Sequence, residues 1–290
     1  MISQLPLIGA GGELVDLKRT LASHGVASLP PSSIDEATWT LETTLPSGPG
    51  ARTVGVSQGR AGHAQVEGAT KPILAQLRHM LRLDEDLSPF YAVAREDPDL
   101  AWAAAGAGRM LRSPTVFEDV IKTICTTNCT WSATVRMVSA LVSELGVEAP
   151  DGRRAFPAAA AMAAADEAFY RDVARAGYRG AYLRSLAEDV ADGSLELEAL
   201  NDPALPDDEV AATLLALPGC GPYATAHMMM LLGRYSRLIL DAWTRPTYAG
   251  LNGRKASDKT IERRFRRYGD YAGLAFWLYL TRDWVEEAAG

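Results

Sequence analysis

The sequence predicts a mostly α-helical protein that opens with a small antiparallel β domain, an α+β chain. Three observations predict it. Residues 1–70 alternate polar and apolar side chains between Gly/Pro/Ser clusters, as in EATWTLETTL and ARTVGVSQGRAGHAQVEG. From residue 71 onward the apolar residues recur at helical spacing. Late in the chain, two helical stretches are separated only by a tight Leu-Pro-Gly-Cys-Gly turn. The boundaries expected are a β-sheet domain over 1–72 and a helical domain over 73–290, with the helix–turn–helix unit at about 208–232.

Within the helical part, KPILAQLRHMLRL is amphipathic and DLSPFYAVAREDPDLAWAAAG follows it. SPTVFEDVIKTICTTN reads as a helix with Ser113 as N-cap, Pro114 at the first helical position and acids in the first turn. CTWSATVRMVSALVSELG is a second helix, ended by Gly146. Helices are further expected over 157–165, 167–176, 180–191 and 208–217, and SDKTIERRFRRYG and YAGLAFWLYLTRDWVEEA supply the last two. There is no internal repeat and no long low-complexity linker.

Nearly half of the 290 residues are apolar, enough for a sizeable core. No charge-free apolar run reaches 18 residues, so no transmembrane helix or membrane partner is expected. MISQLPLIGAGGELVDLK lacks the basic and apolar regions of an export signal. The cysteines, Cys125, Cys129 and Cys220, are too few for a disulfide framework or an iron–sulfur cluster. A reducing, cytoplasmic setting and a monomer are the expectation. The net charge of −7 is unevenly spread. Residues 234–267 carry ten Lys/Arg against three acids, a local +7 that leaves −14 elsewhere. Local fields steer a polyanion more than totals do, although the same run also reads as a solvated basic helix.

The stretch LPGCGPY (217–223) carries chemistry. Pro218 and Gly219 end one helix, Gly221 permits a backbone conformation other residues resist, and Pro222 can start the next helix. Such a turn presents unpaired backbone N–H groups beside a helix N-terminus, a seat for a backbone phosphate that reads no sequence. Taken alone it is equally an ordinary αα-hairpin. Downstream, the apolar run Leu238-Ile239-Leu240 ends in Asp241. An acid at the end of a buried run needs a partner or a task. A fixed carboxylate can stabilise the positive charge that builds on a sugar when an N-glycosidic bond breaks, and can activate water.

LPGCGPYATA followed 18 residues after Tyr223 by LILDAW resembles the helix-hairpin-helix–Gly/Pro/Asp superfamily of base-excision DNA glycosylases. Within it the chain is similar to the branch of 8-oxoguanine DNA glycosylase and 3-methyladenine DNA glycosylase II, whose members also start with a small β-sheet domain. The resemblance implies double-stranded DNA with a damaged base as partner and Asp241 as catalytic carboxylate. It implies DNA contacts from Leu217, Gly219 and Gly221 of the hairpin and from Trp243 and Arg245 after the acid. FEDVIKTICTTNCTWSATVRMVSALVSELG resembles the helix pair whose junction asparagine, here Asn128, fills the hole left by a flipped base. AGYRGAYLRSLA resembles a segment in which Tyr178 would wedge the stack and Arg179 hold the orphaned partner base. The backbone carbonyls of Leu215, Leu217 and Cys220 would bind a structural Na⁺ or K⁺, and no other cofactor is implied.

The departures from the family pattern are informative. Bifunctional members carry a lysine where this chain has Tyr223, and a tyrosine cannot form the Schiff base that leads to strand cleavage. The resemblance therefore implies a monofunctional enzyme with water as nucleophile. Tyr223, His227 one turn later, Phe276 and Leu280 would line an apolar, aromatic pocket, with Trp277 beside them, and an electron-rich ring favours a cationic alkylated purine. Ala133 stands where an arginine would read the orphaned cytosine. Lys122 is read as a solvated lysine, with a relocated Schiff-base amine as the lesser alternative. The alternatives for function are excision of an oxidised or deaminated base such as 8-oxoguanine, and a damage-binding protein without turnover.

Overall fold

Residues 2–285 are described, in a computed structural model. Strands β1 (Ile2–Pro6), β2 (Ser32–Asp35), β3 (Thr40–Ser47), β4 (Gly50–Gln58) and β5 (His63–Glu67) form one antiparallel sheet in the order β1-β5-β4-β3-β2. The period-2 pattern sets which face is buried. Leu41, Thr43 and Leu45 of β3 point inward with Val54 and Val56 of β4 and Ala64 and Val66 of β5. Helix α1 (Leu17–Leu21) lies between β1 and β2 in sequence. Helix α2 (Lys71–Met80) covers the inner face with Ile73, Leu77 and Met80, spaced to share one helical face. Each such fully buried aliphatic side chain contributes about 1.5–3 kcal/mol.

The helical body follows as α3 (Ser88–Arg95), α4 (Val116–Thr126), α5 (Trp131–Leu145), α6 (Ala159–Ala164), α7 (Arg179–Ala191), α8 (Asp207–Ala216), α9 (Pro222–Leu231), α10 (Thr244–Asn252), α11 (Asp258–Phe265) and α12 (Ala272–Thr281). Helices α4, α9 and α12 are buried on nearly every side and form its centre. That is why α9 and α12 show apolar runs and not one clean stripe, whereas α4 has a polar face, Glu118, Asp119, Lys122 and Thr123, that is itself buried. The stretch expected as a helix over 167–176 forms a π-helical turn at Phe169–Val173, ended by Arg175 in the left-handed region at φ +51°. Helix α4 starts later than its sequence suggests. Thr115, not Ser113, is its N-cap, its hydroxyl accepting from the Glu118 N–H at 3.2 Å. Ser113 instead donates its backbone N–H to the buried Asp119 carboxylate. Among the described residues, no helix is long and apolar enough to cross a membrane.

Buried polar pins fix the sheet against the helical body. The Arg109 guanidinium is fully buried, donates to the Glu13 carboxylate and to the Arg82 carbonyl, and reaches the Glu85 carbonyl at 3.0 Å. Trp277 of α12 donates its indole N–H to the Ser23 carbonyl at 2.7 Å. His24 Nε2 lies 2.7 Å from the Leu111 carbonyl. The last two pins set the short 3₁₀ turn at Gly25–Ser28 against α12 and the segment that precedes α4.

Candidate active site

The turn between α8 and α9 is built differently from the sequence expectation. Gly219, not Gly221, holds the left-handed conformation, at φ +84°. A Cβ there would meet Tyr182 at 3.0 Å and Ile124 at 3.2 Å, so both backbone and space demand glycine. Gly221 is extended (φ −84°, ψ −175°), a conformation open to any residue, and caps α9 with Pro222 at the first helical position. A Cβ at Gly221 meets no protein atom. Gly221 and Pro222 are solvent-exposed, as is Leu215, whereas Leu217 and Cys220 are buried and bridged by a Cys220 N–H to Leu217 carbonyl bond of 3.1 Å.

The basic segment is less free than its charge suggests. Arg234 donates to Asp207 at 2.8 Å and Arg237 to Asp208 at 2.9 Å, tying α8 to the loop before Asp241. Arg264 pairs with Asp99, Arg267 with Asp97, and Arg245 grips Asp258 with two bonds of 2.8 and 2.9 Å. Arg245, its side chain 45% exposed, is thus engaged by an acid of its own chain. Among the described residues Arg254, Lys255, Lys259, Arg263 and Arg266 carry no ion pair, which halves the cationic surface on offer.

Asp241 sits half-buried where the chain enters α10. Its Oδ1 accepts the backbone N–H groups of Trp243 at 2.8 Å and Thr244 at 2.6 Å, and its own N–H donates to Thr244 Oγ1 at 2.8 Å. One carboxylate oxygen thus caps the helix and locks the side chain, while Oδ2 takes part in none of the described hydrogen bonds. The helix-capping role and a chemical role are compatible, because each needs a different oxygen. Trp243 is partly exposed and packs on Trp277 and Trp284, both at 5.5 Å between ring centroids.

Tyr223 is half-buried on the first turn of α9, its hydroxyl 3.4 Å from Thr126 Oγ1 at the end of α4. Burial raises the phenol above its ordinary range, and the charge of Asp241 adds to that. His227 lies one turn further on, its ring stacked on Tyr223 at 6.3 Å and 24°. Burial pushes the His227 imidazole down to about 3, so it is neutral at ordinary pH. Behind it stands His24, edge to face at 5.3 Å and lowered to about 4 by the same cause. A cleft of about 580 Å³ opens between α9 and α11, with Pro222, Tyr223, Leu240 and Arg245 on its walls but not Asp241.

Other expected pocket residues lie elsewhere. Phe276 is completely enclosed by Phe265 at 5.2 Å and Tyr248 at 6.2 Å, and Leu280 is likewise buried in the core around α12. Their apolar character serves packing, which sequence cannot separate from pocket lining on a helix buried all round.

Around Asn128 the structure divides the expected roles. Asn128 is exposed in the α4–α5 turn at φ +48°, a left-handed conformation asparagine tolerates. Tyr178 is 55% exposed and edge-on to Tyr182. Arg179 departs from expectation. It is buried, lies 4.6 Å from the Tyr178 ring and donates to the Thr127 carbonyl, so it braces the turn that presents Asn128 and does not face outward to hold a base. Lys122 is not solvated either. It is buried, paired with Glu118 at 2.6 Å and 3.3 Å from the Leu29 carbonyl. Thr126 and His24 were not found from sequence. His24 is an isolated histidine in the N-terminal part, and only the fold carries it to α9.

A scan of protein-family models finds no match, and a sequence search of curated proteins finds none. Solved structures do match along nearly the whole chain. MBOgg1, solved with a low-affinity DNA ligand, superposes with a TM-score of 0.76 at 19% identity, covering 98% of this chain and 96% of its own. The 8-oxoguanine glycosylase/lyase of Clostridium acetobutylicum gives 0.74 at 20% identity, covering 93% and 94%. The 3-methyladenine DNA-glycosylase of Archaeoglobus fulgidus gives 0.72 at 20% identity, covering 98% and 100%. The fold expected from the sequence is therefore the fold found: a helix-hairpin-helix DNA glycosylase fold, mostly helical with an N-terminal antiparallel sheet.

Proposed function

We propose that this chain, which has the fold of the helix-hairpin-helix DNA glycosylases, is a monofunctional DNA glycosylase. It hydrolyses the N-glycosidic bond of a flipped, alkylated purine in duplex DNA. The observation that carries the reading is Asp241: one oxygen locked by the helix it caps, the other uncommitted, at the end of the loop that leaves the hairpin helix. As the bond to the base breaks, the sugar becomes oxocarbenium-like, and a preoriented carboxylate stabilises that charge without having to reorganise. Water is the nucleophile, and Asp241 takes its proton. Tyr223 stands at the position that would need an amine for strand cleavage, and the amine of Lys122 is engaged with Glu118.

DNA is held by the backbone N–H groups at the exposed start of α9 and by the unpaired cations of 254–266. Asn128 and Tyr178, both exposed, fill the gap left by the flipped base. The aromatic Tyr223 over a neutral His227 suits a cationic base, since neither group repels positive charge. The carbonyls of Leu215, Leu217 and Cys220 stay a proposed seat for a monovalent cation. The Leu217 carbonyl already accepts one hydrogen bond, and the chemistry above has no step that uses the cation.

The two hairpin glycines separate folding from binding. Gly219→Ala is expected to cost about 1–3 kcal/mol of stability through backbone strain, read as a fall in thermal midpoint. Gly221→Ala should leave stability within about 0.5 kcal/mol yet weaken DNA binding several-fold, because its methyl group occupies open space on the phosphate-facing side. Equal stability losses in both would contradict the hairpin geometry.

Borohydride trapping and alkali dependence test the monofunctional reading. A lesion duplex treated with the protein should give breaks only after alkali and no trapped protein–DNA adduct. An adduct would place an amine in the reaction and overturn the proposal.

A further inference from the structure

Two enclosed polar atoms behind Tyr223 have no hydrogen-bond partner: His24 Nδ1 and His227 Nε2. Both side chains are more than nine-tenths buried. An unpaired buried acceptor or donor costs about 1–3 kcal/mol, so two in contact call for a function. They come from separate parts of the fold. His24 precedes the 3₁₀ turn pinned by Trp277, and His227 projects from the hairpin helix. Tyr223 is half-buried and stacked on the enclosed His227, which makes it the most exposed ring of the Tyr223, His227 and His24 series.

We propose that His24 and His227 form the specificity floor of the base pocket and read the amino edge of a flipped purine, favouring an alkylated adenine over its deaminated, keto counterpart. The inference rests on the glycosylase reading above. The direction of the preference follows from the tautomer of His24. Its Nε2 faces the Leu111 carbonyl, which can only accept, so Nε2 carries the hydrogen. The ring is neutral, and Nδ1 is therefore a bare lone pair. A lone pair pairs with the N–H of an exocyclic amino group and meets a carbonyl oxygen unfavourably. Alkylation places positive charge on the purine and makes those amino hydrogens stronger donors. Lys122, whose charge is felt at His24, is neutralised by Glu118, so the floor presents no net cation to a cationic base.

Single-turnover release from duplexes carrying 3-methyladenine or hypoxanthine tests this, with a tetrahydrofuran abasic duplex as binding control. Wild type should favour 3-methyladenine. His24→Phe and His227→Phe, which keep a ring but remove the nitrogens, should cut that preference about tenfold or more while leaving abasic-duplex affinity unchanged. His24→Asn, which retains an acceptor, should keep most of it. An unchanged ratio in both Phe variants overturns the proposal and leaves the nitrogens to a trapped water. Equal loss on both bases together with loss of abasic binding also overturns it, since that is a folding effect. A wild type that releases neither base overturns the glycosylase reading itself, and this inference with it.

Discussion

Asp241→Asn is expected to slow single-turnover base release by about 10²–10³-fold, the cost of removing one preorganised electrostatic group from a reaction of this kind. Affinity for lesion-bearing and abasic duplexes should stay within a few-fold. The reason lies in the two oxygens of the carboxylate. Oδ1 is committed to the N–H groups of Trp243 and Thr244, and an asparagine carbonyl can accept those same bonds. The cap, the entry to α10 and the packing of Trp243 survive, while the negative charge is lost. Asp241→Ala removes cap and charge together and should add about 1 kcal/mol of destabilisation. A melting curve separates the two variants. Asparagine at the wild-type rate would remove Asp241 from the chemistry and leave it only as a cap.

Lys122→Ala is the second large effect, and it falls on stability. Glu118 and Lys122 are both almost completely buried on α4 and pair at 2.6 Å one turn apart. Deleting the lysine leaves a buried carboxylate unpaired, which costs about 3–5 kcal/mol, and also removes the ammonium lying 5.7 Å from the Phe156 ring. The thermal midpoint should fall by several degrees. Base release per folded molecule should persist, because the lysine faces Glu118 and Leu29 and supplies no nucleophile. Replacing both Glu118 and Lys122 by apolar residues of similar size should recover much of the loss. Retained stability with lost turnover would give Lys122 a catalytic role instead.

Much of the frame was legible in the sequence because its signals are local. The alternation in β3 and β4, the apolar spacing of α2, and Pro222 at the start of α9 each follow from neighbouring residues. Asp241 was legible as well, as a lone acid ending an apolar run. Features set by tertiary contact were not. Arg179 reads as a surface arginine until α7 folds it onto the Thr127 carbonyl. Lys122 reads as solvated because it shares the polar face of α4 with Glu118, Asp119 and Thr123, and only the fold buries that face. Half of the basic segment is spent on Asp97, Asp99, Asp207, Asp208 and Asp258, four of them outside its own stretch of chain by more than a helix length. Phe276 and Leu280 lie on α12, where core and pocket lining share one composition. The exchange of roles between Gly219 and Gly221 depends on a φ angle that both glycines could have adopted.

The central claim is that the protein hydrolyses damaged bases from duplex DNA. The most direct measurement is the free base released from a panel of duplexes, each carrying one lesion: 3-methyladenine, 7-methylguanine, hypoxanthine or 8-oxoguanine. The account predicts free methylated purine and an intact abasic strand, with 8-oxoguanine left in place. Tight, damage-selective binding with no base released from any duplex would contradict it and leave a damage-binding protein in its place.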